Sequence, residues 1–149
     1  LSLRAFAHET EDVEKVRQAL RNAAHVTSVP IEETVADGSH GNRIRILEAT
    51  VKSAAAERAL FRALERDEPG TAARLSKEAP DRLDDHLNFF LRLDKQAAFQ
   101  GRFVLAKDDD AITARAKARS FPAKGEDPRL QVLLALRDAL ERVRSPKLD

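Results

Sequence analysis

A chain of 149 residues, 42% hydrophobic and 34% charged, is long enough for one hydrophobic core and carries the charged surface of a globular protein. It contains no Cys, which excludes disulfides, thiolate zinc sites and cysteine nucleophiles, and agrees with a reducing cytoplasm. The formal net charge is only +1, so no global field draws the chain onto nucleic acid and any such role must come from local clustering.

No apolar stretch approaches the length of a membrane span. The amino-terminal LSLRAFAHET is too short and too polar to read as a secretory signal. Residues 1–8 alternate, with Leu1, Leu3, Ala5 and Ala7 against Ser2, Arg4, Phe6 and His8, which is the period of a strand. Thr10 is placed to cap a helix over 11–24, with Glu11 and Asp12 in its first turn and a stripe of Val13, Val16, Leu20 and Ala23. Beyond Pro30, IEETVA (31–36) reads as a half-exposed strand and DGSHGN (37–42) as a hairpin connection to RIRILEATVK (43–52). There Ile44 and Ile46 share one phase while Leu47, Ala49 and Val51 share the other, which predicts a β-bulge or strong twist between them. Ser53 caps a helix with the stripe Ala56, Leu60, Phe61 and Leu64, broken by Pro69–Gly70. A helical piece over 71–79 is expected to stop before Pro80.

LNFFLRL (87–93) is predicted as a strand with Leu87, Phe89, Leu91 and Leu93 inward. Asp94 caps a short helix closed by Gly101, RFVLA (102–106) reads as a short strand, and KDDD (107–110) as a turn. ITARAKARSF (112–121) is the clearest strand, with Ile112, Ala114, Ala116 and Ala118 opposite Thr113, Arg115, Lys117 and Arg119. Asp127–Pro128 opens a last helix expected to bury Leu130, Leu133, Leu134, Leu136 and Leu140. This order predicts an α+β fold over 1–149 as a single domain: one mostly antiparallel sheet with helices packed on one face.

The chemistry offered is cationic. Arg115, Lys117 and Arg119 form an outward row, and residues 111–125, which also hold Lys124, contain no acid; Arg43 and Arg45 could form a second row on another strand. Such rows hold phosphate backbones, although a charged sheet face also serves simply to stay solvated. Phe6 lies between Arg4 and His8, an aromatic among basic groups of the kind that stacks unpaired bases, or else one packed against a loop. In LRLDKQAAFQG (91–101), Arg92 and Lys95 flank the amides of a helix start, which suits an anion; the alternative is that Lys95 pairs with a nearby acid. His8, His25, His40 and His86 show no ligand spacing. Asp108–Asp110 suits a hard cation less well than a polar turn, so no metal, cofactor or catalytic residue is expected.

Four stretches occur in this order: RAFAHETEDVEKVRQAL (4–20), GSHGNRIRILEATVK (38–52), LRLDKQAAFQG (91–101) and DDAITARAKARSFPAK (109–124). Together they resemble a family of small archaeal RNA-binding proteins, formerly a domain of unknown function and predicted to be exosome-associated. The resemblance spans nearly the whole chain. It implies a fold similar to the large-subunit ribosomal protein that contacts 5S rRNA, and RNA binding without a reaction. The family-like positions are His8, His40, Gly41, Asn42, Arg92, Asp94, Lys95 and Gln96; Phe90 and Phe99 stand where the family favours tyrosine.

The expectation is therefore a noncatalytic protein that binds RNA, either rRNA or the RNA of a processing assembly. Arg4, Phe6, His8, His40, Asn42, Arg43, Arg45, Arg92, Lys95, Gln96, Arg115, Lys117, Arg119 and Lys124 are the candidate contacts. RNA-processing or ribosomal proteins are the candidate protein partners, no membrane is expected, and self-association is left open. The alternative is a subunit that docks on a larger complex and touches RNA little, which the near-zero net charge favours.

Overall fold

The computed structural model describes residues 1–38, 41–117, 125 and 127–144. Strands β1 (Ser2–His8), β2 (Ile31–Asp37), β3 (Arg43–Thr50), β4 (Asn88–Asp94) and β5 (Ala111–Lys117) form one sheet. Their order is β2-β3-β1-β5-β4, and every neighbouring pair is antiparallel. Helices α1 (Val13–Ala24), α2 (Ala54–Asp67), α3 (Thr71–Arg82), α4 (Lys95–Phe99) and α5 (Pro128–Arg144) complete the α+β architecture. Among the described residues, no helix is long and apolar enough to cross a membrane.

The period-two patterns decide which face is covered. Leu3, Ala5 and Ala7 of β1 are buried beside Leu47 and Ala49 of β3, Ala114 and Ala116 of β5, and Phe89, Leu91 and Leu93 of β4. Alanines on β1 let α1 lie close, and α1 answers with Ala19, Leu20, Ala23 and Ala24, all fully buried. Each buried leucine here contributes about 1.5–3 kcal/mol relative to exposure.

Several element ends differ from the sequence reading. The cap of α1 is Asp12, which accepts from Glu14 N at 3.0 Å, rather than Thr10. A turn closed by Glu11 N donating to His8 O consumes residues 9–10 and delays the helix. No bulge interrupts β3: its residues 44–50 pair continuously with β1, so Ile44 and Ile46 stand half-buried on the uncovered face. Helix α3 runs through Pro80 to Arg82, because a proline in the last turn forfeits a single intrahelical bond. Arg129 of α5 then donates to the carbonyls of Pro80 (2.8 Å), Leu83 (3.2 Å) and Asp84 (3.3 Å), satisfying acceptors at and beyond the helix end.

Residues 102–106 make no strand of their own. A bridge from Leu105 to Leu93 holds them along the outer edge of β4, where Asp94 N donates to Val104 O and Ala106 N to Arg92 O. Leu83 bridges to Phe89 farther back, and Arg82 Nη1 donates to Phe90 O at 3.3 Å. The edge is thus protected against stray pairing. Leu87 lies before β4 at φ +64°, in the turn rather than the strand. Helix α5 packs on α3 and α2 rather than on the sheet, so it buries only a narrow stripe, Val132 and Leu140. Leu130 and Leu134, expected in the core, are 54% and 56% exposed.

The turn into β4 is acid-sensitive. The Asp84 carboxylate accepts from the backbone amides of Asn88 (2.8 Å) and His86 (2.9 Å). The Asn88 amide, foremost, holds the Asp84 carboxyl below its ordinary 3.8. A depressed carboxyl stabilises the fold above its ordinary value and loses that contribution as pH falls through the folded-state value. Amide exchange at His86 and Asn88 should therefore accelerate, relative to neighbouring amides, once the pH drops below 3.8.

Candidate nucleic-acid interface

The face of the sheet opposite the helices is bare among the described residues, and its occupants follow from register. Arg4 of β1 stands opposite Thr113 of β5, and Thr113 opposite Arg92 of β4. One step along, Ser2 faces Arg115 and Arg115 faces Phe90; beyond them Lys117 faces Asn88. Side chains directly opposite in an antiparallel pair have Cβ atoms about 4.5–5.5 Å apart. Arg4, Arg92, Arg115 and Lys117 are therefore exposed neighbours spread over three adjoining strands.

Their partners are few. Among the described residues Arg4, Arg115 and Lys117 make no ion pair, and Arg92 meets Asp109 at 2.9 Å. Both groups of that pair are well exposed, so it contributes about 0–1 kcal/mol and exchanges readily for another anion. Arg115 and Lys117, two residues apart on a strand, repel by roughly 0.6 kcal/mol in water, a cost an arriving phosphate removes. The acids Glu48 and Glu32 lie on the same face and oppose each other across β3 and β2, and Glu48 also stands opposite Arg4 of β1, where the basic and acidic halves meet. The face thus has a basic half on β1, β5 and β4 and an acidic half on β3 and β2. Phe6, 43% exposed, sits at the boundary with the Arg4 guanidinium 5.5 Å from its ring centroid, and Ile46 is its cross-strand neighbour.

Lys95 is already engaged by carboxylates, the alternative its sequence position left open. Its side chain is 4% exposed, and Nζ lies 2.6 Å from Asp110 Oδ1, 2.9 Å from Glu11 Oε2 and 2.9 Å from Phe6 O. Asp94 caps the short α4, accepting from Ala97 N at 2.9 Å. The same ammonium bears on metal binding. His8, Glu11 and Asp110 place ligand atoms within 4.8 Å of one another, and the Lys95 ammonium, bonded to both carboxylates, offsets one of their two negative charges and competes with a metal for them.

The family model described as RNA binding matches residues 1–118. The chain belongs to that family. RNA-binding protein PAB1135 of Pyrococcus abyssi is 31% identical over 95% of this chain and 92% of its own length. Among solved structures, the DUF54 protein Mth689 of Methanothermobacter thermautotrophicus is 32% identical with a TM-score of 0.73, covering 93% of this chain and 95% of its own. Protein AF2318 of Archaeoglobus fulgidus is 25% identical with a TM-score of 0.76, covering 93% and 96%.

Within this family member, the candidate contacts separate. Arg4, Phe6, His8, Arg92, Arg115 and Lys117 share the bare face. Arg43 and Arg45 do not: they stand opposite Asp37 and Val35 on the helix side, and Arg45 pairs with Glu33, which also holds Arg17. Those two guanidiniums, Arg45 foremost, keep the Glu33 carboxyl below its usual range. Asn42 lies in the β2–β3 connection, where its carbonyl accepts from Gly38 N. Gln96 lines a separate groove with Glu11, Lys15 and Phe99. His40, Arg119 and Lys124 lie outside the described residues. Phe90 and Thr113, on the basic half of the face, were not among the candidates. The alternation of LNFFLRL places Phe90 on the outward phase, which was the available signal.

Proposed function

We propose that this protein is a noncatalytic RNA-binding protein that holds the phosphate backbone on the basic half of its bare sheet face. The observation that carries the reading is the convergence of Arg4, Arg92, Arg115 and Lys117 on three adjoining strands, with Asp109 the only acid paired to any of them among the described residues. Phosphate contacts to these groups position the strand, while Phe6 offers a ring to a base. The name of the Pyrococcus abyssi relative supports RNA as the ligand. The Lys95 ammonium, which occupies both carboxylates of the His8–Glu11–Asp110 cluster, supports a role without metal-dependent cleavage. Ribosomal RNA or the RNA of a processing assembly is the ligand this reading favours.

Fluorescence anisotropy with a labelled RNA at increasing salt tests it. Four neutralised phosphates give a log–log slope of about −3, near −0.7 to −0.9 per contact. A flat response would favour the second reading, a protein-docking subunit, for which the exposed Leu130 and Leu134 of α5 speak.

A further inference from the structure

Beside the basic half of the face lies a groove of about 370 Å³, lined by Asp81, Arg82, Leu83, Asp84, Phe90, Arg92 and Thr113. Its volume lies toward the small end of ligand sites, suited to one nucleotide rather than a run of them. One wall is the end of α3 and the turn after it; the other is the outward row of β4 and β5, so the groove opens where Arg92 and Arg115 stand.

We propose that this groove receives one unpaired nucleobase, which makes the ligand class of the face single-stranded RNA. The inference rests on the RNA reading above and goes further by naming what lies between the phosphates. Charge argues for a base. Asp81 and Asp84 stand in the wall, and their carboxylates repel a phosphate but not a neutral heterocycle. Arg82 lines the groove with Nη1 on Phe90 O and Nη2 on Glu78 Oε2, which hold its guanidinium against the wall, while its Nε is buried without a partner and out of reach of an anion in solvent. The half-buried Phe90 supplies an aromatic ring, and every base has a face to stack on it. The exposed Asp81 carboxylate has no hydrogen bond or ion pair among the described residues, which leaves its oxygens as acceptors for the edge of a bound base.

The wall is also set before any ligand arrives. Arg129 holds the carbonyls of Pro80, Leu83 and Asp84 from behind, and Asp84 fixes the following turn through the His86 and Asn88 amides. Preorganisation of this kind lowers the ordering cost of binding. With the base in the groove, its flanking phosphates fall to Arg92 and Arg115 at the rim. A base inside a duplex is stacked and paired and cannot enter, so a double strand forgoes the groove and retains the phosphate contacts alone.

The test is a cycle between ligand and protein, read by anisotropy. The probes are a labelled twelve-nucleotide RNA of mixed sequence, the same backbone built of abasic residues, and the same strand annealed to its complement. Wild-type protein should prefer the intact single strand to both others by about tenfold or more, since stacking on one aromatic side chain is worth about 1–3 kcal/mol. In Phe90→Ala that preference should shrink about tenfold, through weaker binding of the intact strand, while the slope against salt stays as in wild type. Equal affinity of wild type for intact and abasic strands would overturn the proposal without any protein variant. So would a Phe90→Ala protein whose ratio between the two strands is unchanged. If the salt slope is steep and the ratio is unity, the groove inference fails and the phosphate reading stands. If the slope is flat, the phosphate reading itself has failed.

Discussion

Arg115→Ala/Lys117→Ala is expected to weaken RNA binding about 25-fold at roughly 0.1 M salt. Each phosphate contact to a single strand contributes about 0.7 to the slope of log K against log salt, which at that concentration is about fivefold per contact. Losing two should flatten the slope by about 1.4 as well, so affinity and salt dependence must change together. The informative control removes two positive charges elsewhere. Arg43→Ala/Arg45→Ala alters net charge identically, yet those side chains sit on the helix side of the sheet. It should change affinity less than about twofold, because exposed charges beyond a Debye length of roughly 10 Å are largely screened. Equal losses from the two double variants would show that overall charge, not the face, draws RNA. Arg115→Ala/Lys117→Ala should not alter stability appreciably, since substitutions on the bare face usually fall within about 0.5 kcal/mol.

Lys95→Met should lower stability by about 3 kcal/mol, or about 10 °C in Tm for a chain of this size. Methionine keeps most of the buried stem, so the loss isolates the ammonium and its bonds to Glu11, Asp110 and Phe6 O. Removing one partner from a buried pair costs about 3–5 kcal/mol; the low end applies because Asp110 is half exposed and rehydrates. Adding Glu11→Gln and Asp110→Asn should recover part of the loss, since no carboxylate is then stranded. An anion site at Lys95 would behave oppositely, with unchanged or raised stability and a clear loss of RNA affinity. The bond to Phe6 O makes Lys95 a strut for β1, fixing the backbone beneath the exposed Phe6 ring.

The two faces of β3 show where sequence reading reached its limit. Ile44 and Ile46 occupy one phase, Leu47 and Ala49 the other, and both phases are apolar enough to face a core. Pairing with β1 settles the matter: Leu47 opposite Ala5 takes the covered side, and Arg43 and Arg45 share its parity. Two arginines assigned by composition to the RNA face were thereby moved to the other surface. Strand β5 was legible because its phases are chemically distinct, small apolar against basic, and a burial of one face admits a single answer. The leucines of α5 misled for a different reason. Leucine at five positions suits a sheet-covering helix, but a helix packed on other helices at the periphery buries fewer of them.

Local pattern alone established the strands, most helices, the Asp94, Ser53 and Gly101 signals, and the basic row on β5, because alternation, capping and left-handed turns are set by residues within a few positions of one another. Only the assembled fold decided that Arg4, Arg92, Arg115 and Lys117 are neighbours, that Phe90 and the end of α3 enclose a groove, and that Lys95 is spent on Glu11 and Asp110. Those facts join residues far apart along the chain, and they depend on strand order and register, which the burial of one sheet face selects for the chain as a whole.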